Sequence, residues 1–299
     1  MVVLFWAVMV GWVASYVYLY QVGTTASALL VGLFSAYVGA FGHNWVHQPK
    51  YRFWAYLSLD TVWLSSEGWV REHLLQHHMY TQTPWDNHLH GSDPFMPTNP
   101  TKERNFCEQY IFPYIHPLFL SFGPIGNWIA QTVEILNGHE EFQVGRLCLP
   151  IQVALIIQAW GWHGLWLTYA QGAILGVYYF TLAMMNHNDD RVTASVTARN
   201  RSGDWGQAQM HSSADWATHL NWWQALFHLY LNYHTVHHLF PRVDACHFSD
   251  IHQILLQTCK EFDVPYYDRD FFTVYKGIFK SLSTPQSLYE QIKVYGGGL

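Results

Sequence analysis

The sequence predicts an all-α integral membrane protein: four transmembrane helices in two hairpins, with a cytosolic helical cap that carries a histidine-rich metal site. Three observations lead there. Only 12% of the residues are charged and 50% are hydrophobic, whereas an ordinary soluble domain is about 25% charged. Two long regions, residues 1–42 and 147–185, contain no Asp, Glu, Lys or Arg. Histidines gather in three tight clusters, at His43 and His47, at His73, His77 and His78, and at His234, His237 and His238.

The first uncharged region reads as spans at residues 1–20 and 22–42, with a turn between them. At about 1.5 Å per residue each is long enough to cross a bilayer. The second region reads as spans at 147–162 and 168–185, turning at Gly161 to Gly164, where the neighbouring tryptophans suit a membrane interface. All 15 Lys and Arg lie outside these hairpins. By the positive-inside rule the segments between and after them are cytosolic, as are both termini. The three clusters then share one side of the membrane and can meet. Ala26-Ser27-Ala28 superficially resembles a signal-peptide cleavage site, but no basic segment precedes it and the apolar run is too long. The 4 cysteines show no CxxC spacing, so neither a disulfide framework nor a zinc knuckle is expected. A formal charge of −6 argues against nucleic acid as a partner.

Between the hairpins, apolar residues recur at helical spacing, and His43 to Gln82 reads as cytosolic helix. Thr83 to Pro100 is a Pro-, Gly- and Asn-rich loop expected to fold over the site, with His88 and His90 as polar loop residues. Ile111 to Leu136 is apolar but carries Pro113, Pro117 and Pro124, so a broken interfacial or re-entrant segment is expected. Asp215 to Tyr233 reads as a core or shallow membrane helix, and the chain from Asp250 onward as cytosolic helices. There is no internal repeat, and residues 1–299 are expected to form a single domain.

Histidines four apart on a helix project from one face, and an adjacent histidine widens the fan. A lone histidine is more often structural, so the clustering carries the inference. A catalytic zinc takes three protein ligands; eight clustered imidazoles are enough for two metals. Imidazole suits iron, zinc or copper. Zinc hydrolysis normally brings an HExxH glutamate, and here Glu72 lies on the wrong side of His73. Two irons activating oxygen fit neutral nitrogen ligands and apolar surroundings better. No catalytic side chain beyond the ligands is expected.

The series His43xxxHis47, His73xxxHis77-His78 and His234xxHis237-His238 resembles the membrane fatty acid desaturase and hydroxylase superfamily. The flanking text, Gln76-His77-His78-Met79-Tyr80-Thr81 with Gly91-Ser92-Asp93-Pro94, and Leu231-Asn232-Tyr233-His234 through Phe240-Pro241, is most similar to front-end acyl desaturases. Those relatives usually carry Gln where this chain has His234. The resemblance implies two iron ions (Fe2+/Fe3+), O2 as co-substrate, and a cis double bond introduced into a lipid acyl chain carried as acyl-CoA or acyl-lipid. It adds His187 as a ninth ligand; from the residues alone His187 is equally a helix cap. Asn186, Asp93, Asp190 and Asp215 become candidates to support or orient the ligands. The fused cytochrome b5 domain of many front-end relatives, with its His-Pro-Gly-Gly haem motif, is not seen ahead of the first span. Electrons are therefore expected from separate cytochrome b5 with its reductase, or from a ferredoxin. Family habit places the enzyme in the endoplasmic reticulum membrane. The alternatives are a fatty acid or sphingolipid hydroxylase on the same scaffold, and a non-catalytic lipid-binding membrane protein.

Overall fold

The computed structural model describes residues 1–83, 85–89, 91, 93, 96–99, 102–192 and 204–284. His90, Ser92 and Pro94 lie outside them. The described chain is mostly helical and packs as two compact units, one made of Met1–Arg71 and Pro117–Thr181, the other of Glu72–His116 and Leu182–Leu299.

In the first unit, α1 (Val2–Val22) and α2 (Thr25–Trp45) form the expected N-terminal hairpin. Gly23 closes α1 in the left-handed conformation, at φ 62°, and returns its N–H to the Leu19 carbonyl. Thr24 and Ser27 then form a reciprocal capping box that starts α2. Both helices are long and apolar enough to cross a membrane, and Val3, Val10, Val13 and Val17 of α1 face outward. The other expected hairpin is more broken. Its first arm is the shorter apolar stretch Val144–Trp160, ending in α8 (Cys148–Trp160). Its second arm, α9 (His163–Leu175), passes through a π-helical turn, Gly176–Phe180, into α10 (Thr181–His187).

Leu19, Ala28, Val31, Ile156, Leu167 and Ala170 form a buried core, and α2 packs along α9. Gly32 faces the Gln171 backbone carbonyl so closely that any Cβ would collide with it. Such small-residue contacts suit membranes, where helix association relies on close packing rather than the hydrophobic effect. Gln152 ties the unit together, accepting from Tyr16 Oη–H and Trp63 Nε1–H at 2.7 Å each.

The connecting chain differs from expectation. His43 to Gln82 is not one helix: α2 itself carries His43, and α3 (Arg52–Thr61) follows a tight turn. A second turn places Trp63 at φ 68°, and α4 (Ser66–Trp69) then starts under a Ser65 cap. It continues as a π-helix, Val70–His77, and a short α5 (His78–Tyr80).

A short α6 (Phe106–Tyr110) leads into α7 (Phe112–Leu136), which is continuous through Pro117 and Pro124. Proline lacks the N–H that would bond the carbonyl four residues back. For Pro117 that carbonyl belongs to Pro113, and the buried His116 ring donates Nδ1–H to it at 2.7 Å. For Pro124 it belongs to Leu120, whose carbonyl packs against Gly176.

The second unit is a set of short helices around the histidine-bearing ends. Here α11 (Trp205–Ser212) packs on α13 (His234–Leu239), which packs on α14 (Phe248–Glu261). The expected helix over Asp215–Tyr233 is instead β1 (Asp215–Trp216), a turn, α12 (Trp222–Phe227), and a second turn with Leu229 and Tyr230 at positive φ. β1 pairs in parallel with β2 (Asp268–Arg269). The C-terminal α15 (Phe271–Ser283) is anchored at Lys280, which bonds Asp190, and by Arg269, which bridges the buried Asp189 and Asp190.

Candidate metal centre

Each histidine cluster sits where a helix starts or ends. His43 lies on the last turn of α2 and the buried His47 just beyond it, with ring centroids 6.1 Å apart. The second cluster uses the π-helix: i→i+5 hydrogen bonding puts residues five apart on one face, and His73 Nε2 lies 3.1 Å from His78 Nε2. On an α-helix those two rings would diverge. His187 ends α10, and His234 and His238 share a face of α13 one turn apart.

In the second unit these rings form overlapping groups, His73, His77 and His88 among them, and two of the groups share no residue. His77, His187, His234 and His238 bring one ring nitrogen each within 4.8 Å of one another, all buried. His73, His78 and His237 are within the same limit of one another. The adjacent residues His77 and His78 therefore serve different groups.

The first group can be tested for its fit to a cation. His77 Nδ1 lies 3.0 Å from both oxygens of the buried Asp86 carboxylate. A carboxylate bonded this way accepts, so His77 donates its Nδ1 proton. His187 likewise donates Nδ1–H to the Ser212 carbonyl at 2.7 Å, and His238 donates Nδ1–H to Gln209 Oε1 at 2.9 Å. In the neutral rings the lone pairs are then on Nε2, and those atoms face inward. His77 Nε2 is 3.2 Å from His187 Nε2, His187 Nε2 is 2.8 Å from His234 Nε2, and His238 Nε2 is 3.1 Å from His234 Nε2. Converging lone pairs in a buried pocket repel unless a cation lies among them. Extra protons are disfavoured, because burial and the neighbouring His77 push His187 down to about 3. His238 is lowered as well, first by burial and then by His78 and His234. Metal–nitrogen bonds of about 2.1 Å to one ion keep its ligand nitrogens within about 4.2 Å of one another, and the three spacings given above fall inside that limit. The donor set fits a transition metal.

The orienting carboxylate is Asp86, which lies in the loop expected to fold over the site. Burial alone would raise its pKa, but His77, His88 and the Gln82 N–H hold it below the usual carboxylate range. It accepts backbone N–H from Gln82 at 2.7 Å and from His88 at 3.0 Å. The residues expected in this role are engaged elsewhere. Asp93 pairs with Lys102 at 2.9 Å, and Asp190 pairs with Arg269 and Lys280. Asn186 Oδ1 accepts from the Trp216 indole at 2.7 Å. Asp215 anchors the backbone of the third cluster rather than a ring, accepting from Thr235 N–H at 2.6 Å and Tyr266 Oη–H at 2.5 Å. The buried Asp215 carboxyl is pushed up to about 7 by desolvation. His88, expected as a polar loop residue, instead stacks on His77 with centroids 4.3 Å apart. Asp86 sits nine residues beyond His77; its only sequence signal is an acidic side chain in a turn-rich loop directly after the second cluster.

Comparison with known proteins agrees with this geometry. The fatty acid desaturase family model matches residues 20–270. The chain belongs to the fatty acid desaturase family. It is 29% identical over 80% of its length to an acyl-lipid (8-3)-desaturase of Physcomitrium patens, and 27% identical over 68% to one of Mortierella alpina. An sn-1 linoleoyl-lipid 6-desaturase of Synechocystis sp. is 27% identical over 70% of the chain and is covered over 64% of its own length. The two (8-3)-desaturases are covered over only 55% and 50% of theirs, so the chain spans about half of those relatives. The family and the two long apolar helices together suggest a membrane protein, and the buried histidine groups could hold a metal ion.

Proposed function

We propose that this desaturase-family chain is an O2-dependent di-iron enzyme that introduces a cis double bond into a lipid acyl chain. The supporting observation is the convergence of four buried Nε2 atoms, three of them on rings whose Nδ1–H is bonded outward. His77, His187, His234 and His238 would hold one iron. His73, His78 and His237 would hold the other, and the family resemblance implies His43 and His47 as further ligands. Bound iron supplies the redox chemistry that lets O2 remove hydrogen from unactivated methylenes. The protein supplies position and dryness: Asp86, the Ser212 carbonyl and Gln209 fix ring orientation, and burial keeps bulk water from the reactive centre.

The proposed arrangement is four spans, the last at 168–185 within the broken helix that begins at His163, with the histidines and both termini on the cytosolic face. Endoplasmic reticulum is the proposed membrane. The electron donor is cytochrome b5 with its reductase, or a ferredoxin, and the substrate is an acyl-CoA or acyl-lipid. Expression in yeast, with gas chromatography–mass spectrometry of total fatty acids and long-chain bases against a His77→Ala control, tests the reading. A new double bond absent from the control supports it. A product that has gained oxygen instead would assign the chain as a hydroxylase.

A further inference from the structure

We infer that Gln209 is a positioning residue that sets the tautomer of His238 from the backbone of another histidine cluster; this rests on the di-iron reading. Gln209 is fully buried on α11. Its Nε2 donates to the backbone carbonyl of His78 at 3.2 Å, and its Oε1 faces His238 Nδ1 at 2.9 Å and Thr81 Oγ1 at 2.8 Å. An amide could in principle be turned either way; here the His78 carbonyl on one side, with the Thr81 hydroxyl donating to Gln209 Oε1 on the other, favours one orientation. A backbone carbonyl only accepts, so the NH2 of Gln209 must face His78. Its oxygen then faces His238, which must carry its proton on Nδ1 and leave Nε2 as the inward lone pair. Turned over, the amide would oppose two oxygens at His78 and offer His238 a donor, moving the imidazole proton to the metal-facing nitrogen.

The contact also links the two clusters mechanically. Thr81 Oγ1 lies 2.6 Å from the His77 carbonyl, so one buried amide touches the helix end bearing His77 and His78 and the ring of His238. A displacement of α5 would be felt at His238 through a single side chain.

The test is anaerobic Fe(II) binding to the full chain purified in detergent and stripped of metal, read as bound iron after equilibrium dialysis. Gln209→Met keeps the side-chain length but offers no acceptor to Nδ1–H. Loss of such an orienting partner typically weakens metal binding about 10–100-fold, and that loss is expected at one of two irons. Gln209→Glu keeps an acceptor for His238 and, as a buried neutral acid, a donor for His78; it is expected to bind within about threefold of wild type, on the same scale. The inference is overturned if Gln209→Met binds both irons like wild type, or if folded Gln209→Glu loses iron as Gln209→Met does. Should Gln209→Met fail to fold, the Glu variant alone decides. Wild-type protein that binds no Fe(II) would instead sink the di-iron reading itself.

Discussion

Replacing Asp86 by Asn should uncouple ring orientation from the rest of the fold. The carboxylate accepts from the His77 ring, the Gln82 N–H and the His88 N–H, using both oxygens. Asparagine keeps one acceptor oxygen and turns an NH2 toward either Gln82 N–H or His88 N–H. A buried donor left unsatisfied costs about 1–3 kcal/mol, which should appear as a lower melting temperature of the metal-free protein. The His77 ring also loses the negative charge that makes it a stronger ligand. Orienting partners of this kind are worth about 10–100-fold in metal affinity, or about 1.4–2.8 kcal/mol. Iron content measured by mass spectrometry against graded chelator, alongside product formation in yeast, reads both effects. Asp93→Asn is the matched control, since Asp93 pairs with Lys102 at 2.9 Å, and its iron affinity should not change. Wild-type iron affinity and stability in Asp86→Asn would refute the argument.

Three more outcomes follow from the same contacts. Chelation should lower the melting temperature, because iron bound only to the native state stabilises by about 2.7 kcal/mol at a hundredfold excess over Kd; an unchanged melt would mean that the groups hold no metal. Acid should destabilise the metal-free protein: burial pushes His88 and His187 down from 6.5 to about 3, so the unfolded chain binds more protons and stability is lost as pH falls from about 6.5 toward 3. Asp215, pushed up to about 7, works oppositely between about 4 and 7, but the histidines outnumber it, and a melting temperature at pH 5 equal to or above that at pH 7 would contradict this. Gly32→Ala should destabilise by about 1–3 kcal/mol, the usual range for overpacking, since its Cβ would meet the Gln171 carbonyl; calorimetry in detergent would show a melt no lower than wild type if the helices can spread.

The sequence by itself determined what is local. Uncharged runs, a Gly23-Thr24 break and histidines at helical spacing are read within a few turns of chain, and they were enough for the first hairpin, for helices after Asp250 among the described residues, and for the three clusters as candidate metal ligands. Where elements met competing contacts, local pattern misled. Pro117 does not break α7, because His116 takes up the freed carbonyl, and the Asp215–Tyr233 stretch opens with a two-residue strand because Tyr267 and Arg269 pair with it. The division of the histidines was decided only in three dimensions. His77 and His78 are neighbours in sequence, yet one joins His187 and His234 while the other joins His73 and His237. The same holds for Asp86 and Gln209, whose side chains are ordinary in sequence and acquire meaning from what burial places opposite them. A ring's tautomer depends on the partner of its far nitrogen, and that partner comes from wherever in the chain the fold delivers it.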